Sequence, residues 1–466
     1  MSDSMVLKIQ DWLRAHEEEL LEDTIQMLQI PSIESEAKPN APYGTENRLA
    51  LDLALSLSDK FGMKTTDLEG HLGYAEFGQG DKLIMSLGHL DVVPVGPGWK
   101  HAPFGAEIED GYIYARGTTD DKGPTMASLY AMRAIKECWP DVPVRMRQAF
   151  GCNEESGFGC VARYAQTEEA PTFGVAPDSG WPLYHCEKGI ANLEISVPFV
   201  KGELELLHAE GGQRPNIVID SCAARVRVAP SARAFVEEKL ADSWDRNVTY
   251  SWEGDELGIY AIGKASHGAH PFGGDSAAIR VFRFLKEISP LSTSRFYTEL
   301  HELSHIGGAG LGIAGSDEAS GALTCNLGIV SVDGDNLDLL FNIRYPATWK
   351  GTQLQDLCEA RLAELTSGFK LKVTRDSPPL YFPLDHPLVE TIVNVYEAES
   401  GERKKPGVMG GGTYARAIPN TVSIGTCWDG DGHAHETDER IKIESLYRAS
   451  RIYAHIFYEL ALRASN

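Results

Sequence analysis

Apolar and polar positions follow two rhythms along this chain, and the change between them divides it. Ile9, Trp12, Leu13, Leu20, Leu21, Ile25 and Leu28 recur at helical spacing through residues 1–28, and Pro31 closes the run. A second helix is predicted over 48–61, ended by Gly62. Short apolar runs at 73–77 and 82–87, bounded by Gly or Asp, predict strands, and a strand pair follows within 106–115. Residues 124–137 return to helical spacing, with Met126, Leu129, Met132 and Ile135 as the buried stripe. Next come a strand over 144–151, a helix reaching 165, and a strand over 173–176 that ends in Pro177 and Asp178. Strand alternating with helix predicts an α/β fold with a mainly parallel, helix-covered sheet, in which ligands bind at the carboxyl ends of the strands.

From Cys186 the rhythm changes. Longer, more alternating strands are predicted at 191–198 and 248–263, and helices at 232–242, 276–286 and 352–365. Strands at 326–332 and 336–344 read as a hairpin across Asp333-Gly334-Asp335, with Asp-Gly as the turn signal. The Gly-rich run 305–321 reads as a mobile loop, because no helix with a G-K-[ST] signature opens behind it. After Pro387 helical patterning resumes (389–398), followed by Gly410, Gly411 and Gly412, a strand at 422–427, a loop at 429–437 and a final helix at 443–463. The last part reads as a return to the first. The expected domains are therefore 1–185 and 381–466 together, with an α+β unit, 186–380, inserted between them.

At 466 residues the chain is long for a single core, in keeping with that division. A net charge of -24 argues against nucleic-acid binding, whose footprint is a basic stripe. No apolar run approaches the length of a membrane span, and the amphipathic N-terminus does not resemble a signal peptide. Eight scattered cysteines without C-x-x-C spacing argue against structural zinc and a disulfide framework. The expectation is a cytoplasmic protein with no membrane or nucleic-acid partner.

The candidate chemistry gathers at the predicted strand ends. The run Ile84, Met85, Ser86, Leu87, Gly88, His89, Leu90, Asp91 delivers an imidazole and a carboxylate two residues apart, on one face of a strand. A metal-bound histidine commonly gives its second N–H to a carboxylate, which explains such a pairing. Asp120, Glu154, Glu155 and Asp178 also lie at or just after strands, or in loops that follow them, and can converge with His89. His89 and His435 are candidate imidazole ligands, and Asp120, Glu155 and Asp178 candidate carboxylates. Such a mixed set suits zinc, with manganese or cobalt possible, and with one carboxylate shared it would hold two ions about 3.5–4 Å apart. Glu154 is then spare and placed to take a proton from water. Taken singly, each has a plainer role: a loop Asp is usually a cap, and Glu154-Glu155 could be the acidic first turn of a helix.

The patterns S-x-G-H-x-D-V-V-P (86–94), A-R-G-T-T-D-D-K-G (115–123), N-E-E-S-G (153–157), A-P-D (176–178) and H-x-x-x-E (435–439) resemble the dinuclear zinc peptidase and deacylase family that includes aminoacylase, carboxypeptidase G and succinyl-diaminopimelate desuccinylase. The resemblance spans essentially the whole chain. It implies a catalytic domain with two zinc ions and an inserted lid domain. Asp120 would bridge the ions, His89 and Asp178 would complete one site, and Glu155 and His435 the other. Asp91 would orient His89, and Glu154 would act as general base and acid on a metal-bridging water.

Within the family the chain is most similar to PepV-type bacterial dipeptidases, through Gly211-Gly212-Gln213 with Asn216, Gly263-Lys264-Ala265-Ser266-His267, the run 323–328, Asn342-Ile343-Arg344-Tyr345-Pro346 and Gly410-Gly411-Gly412-Thr413-Tyr414-Ala415-Arg416. That likeness implies that His267 and Asn216 reach from the lid to the scissile carbonyl, while Arg344 and backbone N–H groups at Gly411 and Gly412 take the substrate carboxylate. His270 lies close to His267, and the K-A-S-H context selects His267. Asp121 is a candidate for meeting a cationic amine, against the plainer reading of a solvent-facing turn carboxylate. The expected function is hydrolysis of unblocked dipeptides, including those with N-terminal β-alanine, by a monomer or small homo-oligomer. The alternative is an N-acyl amino acid deacylase of the same family. A binding protein on this scaffold would be expected to lack a ligand or the base, and all are present.

Overall fold

The computed structural model describes residues 2–465, so Met1, where the first helix was expected to begin, lies outside the described residues, as does Asn466. The chain forms two compact units. The first takes the residues up to His185, Phe382–Gly407, and the residues from Gly412 on; the second takes Cys186–Tyr381 and Val408–Gly411. The short return Val408–Gly411 is a difference from the sequence-based division, which left those residues with the C-terminal part.

In the first unit the sheet runs in the order Lys64–Asp67, Leu72–Gly78, Arg145–Gly151, Leu83–His89, Phe173–Ser179, Thr421–Gly425, Leu183–Glu187. Its centre is parallel: Leu83–His89 pairs in parallel with Arg145–Gly151 and with Phe173–Ser179, which pairs in parallel with Thr421–Gly425. The margins are antiparallel, so the sheet is mixed. The first two strands are joined by residues 68–71 alone, a connection that can turn a hairpin but is too short for a crossover. Every residue of Leu83–His89 is buried, as a central strand covered on both sides requires.

The helix Lys122–Cys138 follows the Asp120-Asp121 turn and packs on the central strands, with the C-terminal helix Ile443–Ser465 and the first two helices around it. It is buried over most of its circumference, which the stripe read from the sequence understates. The N-terminal pattern is broken into two helices, Ser2–Ala15 and Glu17–Leu28, at His16, whose φ of -120° leaves the helical region.

The second unit is built on an eight-stranded antiparallel sheet, in the order Val248–Glu253, Glu256–Ile262, Ser221–Val228, Leu204–Gly211, Thr324–Asp333, Asn336–Tyr345, Gly189–Pro198, Lys370–Ser377. Leu257, Ile259 and Ala261 point into a core shared with the helices Ala277–Ile288 and Leu291–Leu303, while Tyr260 and Ile262 point outward. The single long strand expected at 248–263 is a hairpin turned at Gly254 and Asp255, where Gly254 has φ of 64°. In the hairpin of 324–345, Asp333 pairs with Asn336, so the two-residue turn is Gly334-Asp335 rather than Asp-Gly.

The strand end bearing His89 has no room to spare. A methyl on Gly88 would collide with Thr125 Oγ1 and fall 2.9 Å from Asp121 Oδ2, both belonging to the helix start beneath it. Gly88→Ala should therefore destabilise the fold by about 1–3 kcal/mol through overpacking. The measurement is the denaturant midpoint, and an unchanged midpoint would show that the helix start yields freely.

Candidate active site

Three parallel strand ends and two loops bring the predicted residues of the first unit together. His89 ends its strand opposite Gly151 of the neighbouring strand, beyond which come Asn153, Glu154 and Glu155. Asp178 lies near the end of the adjacent strand, Phe173–Ser179. Asp120 precedes the helix Lys122–Cys138, and His435 sits in the loop after Thr421–Gly425 with φ of 65°.

His89 Nε2 lies 2.9 Å from Asp120 Oδ1, and His435 Nε2 lies 3.1 Å from Asp120 Oδ2 and 3.0 Å from Glu155 Oε1. Asp120 thus stands between the two imidazoles. Ligand atoms of His89, Asp120 and Glu155 all fall within 4.8 Å of one another. Asp178 enters through its charge, which helps to raise the carboxyls of both Glu154 and Asp121.

The electrostatics follow from burial and crowding. Burial first, then Asp178, pushes the Glu154 carboxyl well above the usual range. Burial would raise Asp120 too, but hydrogen bonds from His435 and His89 overcome it and hold that carboxyl low. The same carboxylates raise the imidazoles: His435 is pushed up to about 10 by Asp120 and Glu155, and His89 rises despite its burial. Imidazole nitrogens facing clustered carboxylate oxygens, with protons held where positive charge is needed, are the donor set of a divalent cation such as zinc.

The surroundings fix this arrangement. Asp91 accepts the backbone N–H groups of Glu154 and Glu155 on its two carboxylate oxygens, each at 3.0 Å. Its contact with His89 Nδ1 is closer through its backbone carbonyl, at 3.0 Å, than through its carboxylate, at 3.5 Å. Asp91 therefore orients the Glu154-Glu155 turn as well as the imidazole. Asp121 is fully buried, and its Oδ2 accepts the His89 backbone N–H and the Thr125 hydroxyl, so it meets neither solvent nor an amine.

Three residues left without a role by sequence reasoning complete the frame. Glu439 is buried, pairs with Arg116 at 2.7 Å, and accepts the backbone N–H groups of Gly117 and Thr119. It ties the loop of His435 to the loop of Asp120. Its place four residues after His435 was visible in the H-x-x-x-E pattern. Arg116 and the buried Lys122, which donates to the Ile30 carbonyl, lay within the A-R-G-T-T-D-D-K-G pattern, but nothing local showed which distant groups they meet.

The second unit holds its own polar group. Asn216 and His267 lie on facing segments, with Ile217 bridged to His267 and the Gly268 N–H donating to the Asn216 carbonyl at 2.7 Å. His267 Nδ1 accepts the Ala269 N–H at 3.2 Å, which leaves the ring proton on Nε2. Burial first, then Arg344 and His270, lowers the His267 pKa and keeps the ring neutral. Arg344, on a buried strand end, donates from Nε to Asn342 and from Nη1 to the Gly410 carbonyl at 2.9 Å. Around Gly411 there is space: a methyl there would meet only the Met409 side chain.

Because the facing carboxylates raise the basicity of His435 and His89, a divalent ion bound there competes with protons. Zinc affinity should rise with pH between about 6 and 8, and calorimetry in buffers of different ionisation enthalpy should show proton release. Affinity independent of pH over that interval would place the ion elsewhere.

Comparisons with known proteins give the family. The sequence profile of peptidase family M20/M25/M40 matches residues 85–459. A protein of Bacillus subtilis (strain 168) named "Putative dipeptidase YtjP" is 36% identical over 456 residues, covering 95% of this chain and 97% of that protein. Among solved structures, the aminoacylhistidine dipeptidase of Vibrio alginolyticus shares the fold with a TM-score of 0.57 at 13% identity, covering 95% of this chain and 96% of that one. The di-peptidase Dug1p of Saccharomyces cerevisiae does so with a TM-score of 0.56 at 15% identity, covering 99% of each chain. The chain belongs to peptidase family M20/M25/M40 and is a metallopeptidase.

Proposed function

We propose that the protein is a zinc-dependent dipeptidase that hydrolyses unblocked dipeptides, with manganese or cobalt able to replace zinc. The observation that carries the reading is the convergence of His89, Asp120, Glu155 and His435 beside a half-buried Glu154. The printed name of the Bacillus relative supports the substrate class. His89 and Asp178 would hold one ion, Glu155 and His435 the other, with Asp120 shared between them. Two such ions supply Lewis acidity toward the scissile carbonyl and the attacking water.

The chain's own residues do the rest. Glu154 is not needed as a ligand, and its raised pKa suits a group that takes a proton from the attacking water and returns it to the departing amine. Neutral His267 has an Nε2–H to offer the carbonyl oxygen as negative charge develops there, with Asn216 beside it. Arg344, with the N–H groups of Gly411 and Gly412, takes the substrate carboxylate. In this reading the inserted unit acts as a lid. The span from carbonyl to carboxylate then measures one residue, so only the C-terminal residue is released.

Glu154→Gln should keep its metal and lose about 10²–10⁴-fold in kcat, because proton transfer is lost while binding is not. Near-normal turnover in the metallated variant would remove the role. The substrate class is tested by kcat/KM for β-Ala-His, Ala-Leu, Ala-Ala-Leu and N-acetyl-Leu. Both dipeptides should be cleaved and the other two compounds should be poor substrates; efficient cleavage of N-acetyl-Leu with neither dipeptide would move the assignment to an N-acyl amino acid deacylase.

A further inference from the structure

Tyr414 belongs to the Gly410–Arg416 motif, yet the chemistry above uses only its glycines. The tyrosine is fully enclosed, at 1% exposure, behind the metal-ligand cluster of the first unit. Its ring stands edge-on to the His89 imidazole, 5.9 Å between centroids at 77°, and edge-on to Phe158 at 5.3 Å. Its hydroxyl oxygen lies 3.4 Å from the Asn153 backbone nitrogen and 2.7 Å from Cys160 Sγ. A methyl on Gly151 would fall 2.5 Å from that hydroxyl, so the strand end leading to Glu154 lies flush against the ring.

One side chain therefore touches both elements whose spacing decides the site. The ring abuts the imidazole ligand, and the hydroxyl accepts the N–H of the residue before the base. Tyr414 is itself placed from elsewhere: Thr413 Oγ1 accepts the Ala415 N–H at 3.2 Å, and the turn Tyr414–Ala417 packs on the strands Thr421–Gly425 and Phe173–Ser179. Burial keeps both the phenol and the Cys160 thiol neutral, the latter pushed up to about 12. The phenol can thus accept from Asn153 and donate to sulfur, supplying direction without charge.

We propose that Tyr414 is a positioning residue that sets His89 against the Glu154-Glu155 turn, the ring fixing the ligand and the hydroxyl fixing the turn. The proposal rests on the roles given above to His89 and Glu154. A tyrosine that only filled the core would differ: removing its hydroxyl would alter stability and leave turnover untouched.

The test compares Tyr414→Phe and Tyr414→Leu with the wild type and Glu154→Gln, all loaded with zinc. Zinc affinity is read by calorimetry, kcat and KM on Ala-Leu, and folding by thermal midpoint. In Tyr414→Phe, kcat should fall about 10-fold or more, with KM and zinc affinity within about twofold of wild type. Tyr414→Leu should in addition bind zinc about 10–100-fold more weakly, a loss that the phenylalanine variant restores. Wild-type kcat in Tyr414→Phe, whatever its midpoint, overturns the proposal; should Tyr414→Leu not fold, Tyr414→Phe decides alone. Full activity in Glu154→Gln instead overturns the site reading itself. An inactive Glu154→Gln beside a fully active Tyr414→Phe overturns only the role of Tyr414.

Discussion

The fold of the first unit is shaped by the need to hold carboxylates together against their mutual repulsion. Asp91, Asp120, Asp121, Glu154, Glu155 and Asp178 gather where the central parallel strands end. Burial makes this costly: Glu154 and Asp121 are pushed toward their neutral forms, and Asp120 stays ionised only because two imidazoles face it. An apolar strand end with a single polar residue would not carry that cost. The cluster is reasonable only as a place where positive charge belongs, and the protons raised onto His435 and His89 mark where it would sit.

Holding such a cluster takes a second layer that adds geometry more than stability. The Arg116–Glu439 pair shows this. Burial raises the Glu439 carboxyl although it accepts two backbone N–H groups and the guanidinium, so the pair scarcely recovers its own desolvation. Its return is positional, since the same carboxylate binds the loop that leads to Asp120 and lies four residues beyond His435. Asp91 acts likewise on the Glu154-Glu155 turn, and Asp121 on the His89 backbone. Buried networks of this kind fix one arrangement because every partner lost leaves another unsatisfied.

Much of this was legible in the sequence, because the site is built from short runs whose order follows the strand ends. His89 with Asp91, and Glu154 with Glu155, each declare themselves as polar pairs closing an apolar run, and the structure brings them together with Asp120 and His435. What stayed hidden depends on contacts between distant segments. Arg116 and Lys122 stood in the 115–123 pattern without a role, and Asp121 was weighed between an amine partner and a solvent-facing turn carboxylate, since nothing local reveals their contacts with Glu439, the Ile30 carbonyl and the His89 N–H. Tyr414 looked like one more residue of a glycine-rich motif until Gly151 and His89 lay against it. The hairpin at 248–262 was missed because Gly254 interrupts an otherwise continuous alternation by two residues only.

The two polar groups also differ in sign, and this bears on substrate choice in the proposed reading. In the first unit the carboxylates dominate, and the nearby cations, Arg116 and Lys122, are turned to Glu439 and to the Ile30 carbonyl. In the second unit Arg344 supplies a buried guanidinium, next to a histidine kept neutral partly by that same charge. In that reading two divalent ions would offset the carboxylates of the first group, so the buried guanidinium of the second is the charge left to meet an anionic substrate end.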